Sequence, residues 1–343
     1  MDVRLSDEQS TLQEHFRHFF EREATIAIVR EAEPFGFDGE LWKKLLAMGV
    51  VAMGIPIESG GDGVSLLDLT IVAEEFGASM APAPLIEALV GARLLSQFRS
   101  QLDDGRWGEL LDGRSAATAA FRPFLGGTSR LVPAGAVADV VVGLDRDQLV
   151  LVNVSNAAQR TTLENLGCSP LADVATGGEP VVLADGARAL EAMAQAKDEW
   201  KVLTAAALVG LAQKSHDIGL DYVKNRKVFG AVVGSFQTVA HHLADDIVQI
   251  DGSRLLVREG AWSADEGTEF SSQLISAGFA YAAETATTVT AHSLHFHGGS
   301  GYIMEQDIQM YFRRAKAWPL VYGDPRREYQ VVADKTWGER EQR

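Results

Sequence analysis

Two short stretches carry residue types that could do chemistry. The first, "NRKVFG" at residues 225–230, sets Arg226 and Phe229 three apart before a glycine, and "SFQTVAHHLAD" with Gln237 follows it. A guanidinium is a planar fork of donors suited to phosphate, and a phenylalanine ring can stack on a planar heterocycle. The competing reading is a plain helix end, where basic side chains sit favourably against the dipole. The second stretch, "HFHGGSGYI" at 295–303, ends a helical pattern in glycines. Gly298 and Gly299 would let backbone N–H groups approach a phosphate, although a glycine pair also serves as an ordinary helix cap and turn. His295 and His297 are two residues apart without an accompanying ligand set, so no metal site is expected and their roles are hydrogen bonding or packing. His241 and His242 read as surface or interface residues.

Several chemistries lose their best support. The chain has no G-x-S-x-G elbow, Walker loop or H-E-x-x-H pair, which argues against hydrolase and kinase readings. Its 31 Lys and Arg against 47 Asp and Glu give a formal charge of −16, which disfavours generic binding to nucleic acid or anionic membrane. The single cysteine, Cys168, excludes an intrachain disulfide and fits a reducing compartment. The opening "MDVRLSDEQSTLQEHF" has acidic residues and no apolar run, and the most apolar stretch, Val202 to Ala212, is about half of the roughly 20 residues a membrane span needs. A cytoplasmic protein without a membrane span is expected.

The elements that must position these stretches fall into three regions, expected over residues 1–100, 101–189 and 190–343. In the first, Ser6 and Gln9 form a capping box ahead of Leu12, Phe16, Phe19 and Phe20, and Ser65 caps a later helix. The region reads as a helical domain. In the second, "GAVADVVVGL", "DQLVLVNVS" and "EPVVLA" are short β-branched runs between turns, which predicts a small antiparallel sheet domain. In the third, helices return; Phe236, Val239, Ala240, Leu243, Ile247 and Ile250 step along one face, and an antiparallel bundle is expected. The fold class is α+β.

Taken in order, "LSDEQSTL", "GIPIESGGDG", "VPAGAVADVVV", "NRKVFGAVVGSFQTVAHHLADD" and "HFHGGSGYIMEQDIQMYFRRAKAW" resemble the acyl-CoA dehydrogenase family along nearly the whole chain. The resemblance implies a helical domain, a middle β domain and a C-terminal four-helix bundle, with FAD where domains of two neighbouring subunits meet. It implies that Arg226 and Phe229 contact the pyrophosphate and adenine side of a neighbour's FAD, helped by Gln237 and by the turn at Gly298 and Gly299. His295 stands where the family usually has glutamine.

The family's reaction is α,β-dehydrogenation of an acyl-CoA thioester, in which a carboxylate removes the α-proton while hydride leaves to the flavin. Its usual glutamate falls, by ungapped counting, on Tyr322 within "WPLVYGDP". Some members place the base on the helix opening the bundle, which falls on Trp200, with Glu199 beside it and Lys201 where arginine is common. One residue along a helix turns a side chain by about 100°, so Glu199 is expected either to point elsewhere or to be a solvated carboxylate in a first turn. Between "RSAATAAF" and "VPAGAVADVVV" the T-E-P, G-S-D and W-x-T/S segments that hold the flavin ring and thioester are missing.

Some bacterial members are α2β2 heterotetramers that pair a catalytic subunit with a shorter, degenerate one, and this chain resembles the latter. The resemblance implies a FAD-sharing subunit with two rather than four flavin sites per tetramer, a homologous partner that supplies the base and most acyl-CoA contacts, an electron-transfer acceptor, and bulky substrates such as steroid side-chain thioesters. Two other readings stay open. One is a self-sufficient dehydrogenase using Glu199, or a flavin monooxygenase-like relative; the other is a scaffold that binds no flavin.

Overall fold

The computed structural model describes residues 4–154 and 156–338. Helix α1 (Asp7–Glu23) opens on the capping box, with Gln9 N donating to Ser6 Oγ at 3.1 Å and Ser6 N to Gln9 Oε1 at 3.0 Å. Its Phe16, Phe19 and Phe20 are buried. Six further helices follow: α2 (Ile26–Glu31), α3 (Gly39–Ala47), α4 (Val50–Met53), α5 (Leu66–Ser79), α6 (Leu85–Ser96) and α7 (Asp104–Leu111). Ser65 caps α5 and Asp38 caps α3, each accepting a backbone N–H in the first turn.

Seven strands then form two sheets: β1 (Ala117–Ala120), β2 (Thr128–Val132), β3 (Val140–Asp145), β4 (Gln148–Asn153), β5 (Arg160–Thr162), β6 (Ala172–Ala175) and β7 (Val181–Asp185). The orders are β1-β3-β4-β7 and β2-β6-β5. Val132, Val141, Val150, Val152, Val174 and Phe124 fill the core between them. One pairing departs from the expected antiparallel pattern: β1 runs parallel to β3, Ala117 opposite Val140. After β1 the chain enters the other sheet as β2, so it returns beside β1 in the same direction and cannot close as a hairpin.

The rest is helical. Helix α8 (Gly186–Asn225) leads into a hairpin of β8 (Lys227–Val228) and β9 (Ala231–Val232), then α9 (Gln237–Asp265), α10 (Ser271–Phe296), α11 (Ile308–Ala317) and α12 (Arg327–Trp337). Helices α9 and α10 are antiparallel: His292 meets Asp246 at one end, Ser253 donates to or accepts from Thr285 at 2.9 Å midway, and Gly260 abuts Ile275 at the other. Val202 to Ala212 is fully buried, as its apolarity predicts. The α9 stripe is shifted from the expected one. Leu243 and Ile250 are buried but Phe236 and Ala240 are exposed, because the inward face continues through Asp246, Ser253 and Val257.

By backbone proximity the chain divides into two compact units, one made of residues up to Ala27, Thr70–Ala81 and Lys201 onward, the other of Ile28–Leu69 and Pro82–Trp200. In the first, α5 and α8 touch at two glycines. A Cβ on Gly77 would stand 1.9 Å from Ala207 O, and one on Gly210 1.8 Å from Glu74 O, distances no side chain tolerates. In the second, Gly91 lets α6 lie directly on β1 at Ala117.

Candidate functional site

Arg226 lies immediately beyond α8, and its carbonyl accepts from Val233 N at 2.8 Å, which closes the β8–β9 hairpin. The tip is Phe229 and Gly230, at φ +54 and +80. A bulky residue in the left-handed region costs about 1–2 kcal/mol, and no packing offsets it here, since Phe229 is 96% exposed. Arg226 is also exposed and has no carboxylate partner among the described residues.

Eleven residues on, Gln237 opens α9. The residue before it, Phe236, makes no side-chain capping bond, so first-turn N–H groups of this 29-residue helix are left unsatisfied by a side chain. His295 sits exposed in the last turn of α10, and Gly298 (φ +60) and Gly299 follow. No heavy atom lies within 4 Å of where a Cβ would stand on either glycine, so a ligand could approach this backbone directly.

Aromatic contacts gather these pieces at one end of the bundle. Tyr222, one turn before Arg226, stacks on His297 beside Gly298 with ring centroids 4.0 Å apart. His242, near the start of α9, packs on His292 near the end of α10 at 4.3 Å, and His292 Nδ1 lies 2.8 Å from Asp246 Oδ1. Burial pushes the Asp246 carboxyl up, and the His292 contact opposes this. His297 is buried with Nδ1 2.7 Å from Ser293 O. Among the described residues no group of three or more His, Cys, Asp or Glu could hold a metal ion.

The two positions considered for a base have different surroundings. Tyr322 follows a 3-10 turn, Trp318–Val321, whose Trp318 stacks on Phe76 at 6.2 Å. Lys201 Nζ lies 5.3 Å from the centre of the Tyr322 ring and is itself paired with Glu328 at 2.9 Å, with only 6% and 5% of the two side chains exposed. The carboxylate nearest in sequence, Asp324, is engaged by Arg326 at 2.8 Å, which holds it below the usual carboxylate range.

Glu199 is not a solvated first-turn carboxylate. Helix α8 begins at Gly186, so Glu199 stands more than three turns inside it, and it is buried. Arg93 on α6 grips both its oxygens, Nε to Oε2 at 2.9 Å and a terminal nitrogen to Oε1 at 3.2 Å, and Gln195 donates to Oε1 at 3.0 Å. Arg93 also donates to Gly54 O at 2.6 Å. The clue to this pairing was a lone arginine in the otherwise apolar "LVGARLL", but its partner is 106 residues away and no local pattern names it. Close by, Trp200 packs on Phe121 at 5.2 Å, and burial pushes the Glu87 carboxyl up, with the Trp200 indole opposing this.

Comparison with known proteins agrees with this architecture. Residues 6–101 match the N-terminal domain of the acyl-CoA dehydrogenases and residues 190–334 their C-terminal domain. The chain is 30% identical over 328 residues to acyl-CoA dehydrogenase IpdE2 of Mycolicibacterium smegmatis, covering 94% of this chain and 97% of that protein. Among solved structures, it superposes on a chain of the ChsE4-ChsE5 complex from Mycobacterium tuberculosis with a TM-score of 0.87 at 23% identity, covering 98% and 99% of the two chains. It superposes equally on butyryl-CoA dehydrogenase from Megasphaera elsdenii, with a TM-score of 0.88 at 20% identity and 98% and 100% coverage. The chain belongs to the acyl-CoA dehydrogenase family.

Proposed function

We propose that this chain is the FAD-sharing subunit of a heteromeric acyl-CoA dehydrogenase, working in the cytoplasm as half of an α2β2 assembly. Arg226 would hold the pyrophosphate, Phe229 would stack on the adenine, and Gln237, His295, Gly298 and Gly299 would complete that side of the cofactor. A homologous partner would supply the flavin-ring cradle, the catalytic base and most contacts to the acyl-CoA, and an electron-transfer acceptor would take the electrons. Bound FAD would supply a hydride acceptor for the β-hydrogen of the thioester.

The observation that carries this reading is an asymmetry. A phenylalanine held at φ +54 and 96% exposed, next to an unpaired arginine, has the form of a clamp awaiting a planar anionic ligand. The loop that should bear the base instead places Tyr322 against a buried ammonium. The residues present therefore fit the adenine half of the cofactor and not the proton-abstracting half. Two relatives that share the fold support the assembly, a ChsE4-ChsE5 complex and a "steroid ACAD" of two named components, Tcur3481-Tcur3483, and the second is the ground for proposing a steroid-type thioester.

The test is expression alone and with a homologous partner encoded nearby. FAD content and acyl-CoA-dependent dye reduction are expected only in the co-purified complex. Arg226→Ala should strip FAD from that complex while the secondary structure of the isolated chain is unchanged. Full activity of the chain by itself would refute the shared site.

A further inference from the structure

A cavity of about 820 Å³ lies wholly within the first unit, between α1, α5, α8, α9 and α11, away from the hairpin and the glycine turn. Its size is within the roughly 300–1,000 Å³ range of small-molecule sites. Four of the eight charged groups on its wall pair with one another, and Glu21, Lys214 and Asp217 are exposed. Arg17 grips both oxygens of Glu75, at 2.8 and 3.3 Å. Arg254 donates to Glu74 Oε1 at 2.8 Å, to Asp251 at 2.5 Å and to Gln213 at 3.0 Å, which commits all its nitrogens.

Two buried wall groups are left over. Arg258, only 9% exposed, makes one long bond, 3.4 Å to Glu74 Oε2, and its buried Nε has no partner. Tyr311, 4% exposed, has no hydrogen-bond partner for its hydroxyl among the described residues. Burial pushes the Tyr311 phenol up, with Asp307 adding to the shift, so it keeps its proton and acts as a donor. An unpaired buried donor costs about 1–3 kcal/mol, and the Arg258 Nε is one that folding alone does not explain. Both are donors and one is a permanent cation, so their complement is an anionic acceptor. Phe20, Ala24, Ile26 and Ala78 supply apolar wall beside them.

We propose that this cavity is a second ligand site, which binds a small carboxylate with a short apolar body through the Arg258 guanidinium and the Tyr311 hydroxyl. The site is separate from the cofactor residues and stands whether or not FAD is shared between subunits. Octanoate serves as the probe, titrated calorimetrically into the full chain. Saturable binding is expected, and Tyr311→Phe, which removes one hydroxyl and leaves the ring packed, should weaken it about tenfold or more. Arg258→Met should do the same, whereas Arg226→Ala should leave octanoate affinity unchanged. No saturable binding to the unaltered chain, or equal affinity in Tyr311→Phe, would overturn the assignment.

Discussion

Replacing Arg93 by methionine tests the account of Glu199 most directly. The substitution keeps the aliphatic length of the side chain but removes both bonds to Glu199, at 2.9 and 3.2 Å, and leaves that carboxylate, whose side chain is 7% exposed, with Gln195 alone. Removing one member of a buried ion pair costs about 3–5 kcal/mol, because the survivor stays charged in a poorly solvated place. Gly54 O also loses its 2.6 Å donor, and an unmet buried acceptor costs about 1–3 kcal/mol. The two losses overlap in the same relaxation, so a decrease of about 4 kcal/mol is expected. Urea unfolding followed by tryptophan fluorescence reads it, since Trp200 adjoins Glu199. The double variant Arg93→Met/Glu199→Met should recover much of the loss, because no charge is then stranded. A single-variant loss below about 1 kcal/mol, or a double variant no better than the single, would refute the pairing as a structural one. The catalytic corollary is separate: Glu199→Gln in the assembled enzyme should keep dehydrogenation, and a collapse of turnover with an intact fold would make Glu199 the base after all.

Phe229→Gly should relieve the left-handed strain at the hairpin tip, raising stability by up to about 1 kcal/mol in a thermal melt while lowering FAD retention by the complex; undiminished retention would remove Phe229 from the cofactor site. Glu87→Gln should alter the pH dependence of stability. The Glu87 carboxyl is raised by burial, so its protonated form is favoured in the fold; the native chain keeps this stability below the ordinary value of 4.5 and loses it as pH rises through the raised one. The variant should therefore gain on the parent between weakly acidic and neutral pH and match it below 4.5, and parallel curves across that window would count against the buried carboxyl.

Much of the architecture could be read from local patterns. Capping at Ser6 and Ser65, the β-branched runs of the middle region and the apolar run from Val202 to Ala212 all rest on interactions within a few residues, and each appears where expected. The parallel β1–β3 pairing and the inward face of α9 did not follow, since the first depends on where the chain goes between strands and the second on which neighbours surround the helix. For the site, the types and spacing of Arg226, Phe229, Gln237, His295, Gly298 and Gly299 were legible, but their assembly was not. Tyr222 on His297 and His292 against Asp246 bring them to one end, over separations that carry no sequence signal.

By itself, then, the sequence determined the order of helices and strands and the family, because each is a property of neighbouring residues in the chain. Only the tertiary structure decided what the ionisable groups do. Glu199 is bound by Arg93, Lys201 by Glu328, and Arg258 is left with one unmet donor, according to which partners the packing brings within hydrogen-bond reach. A charge in a buried place is governed by the few groups that touch it, and those come from distant parts of the chain.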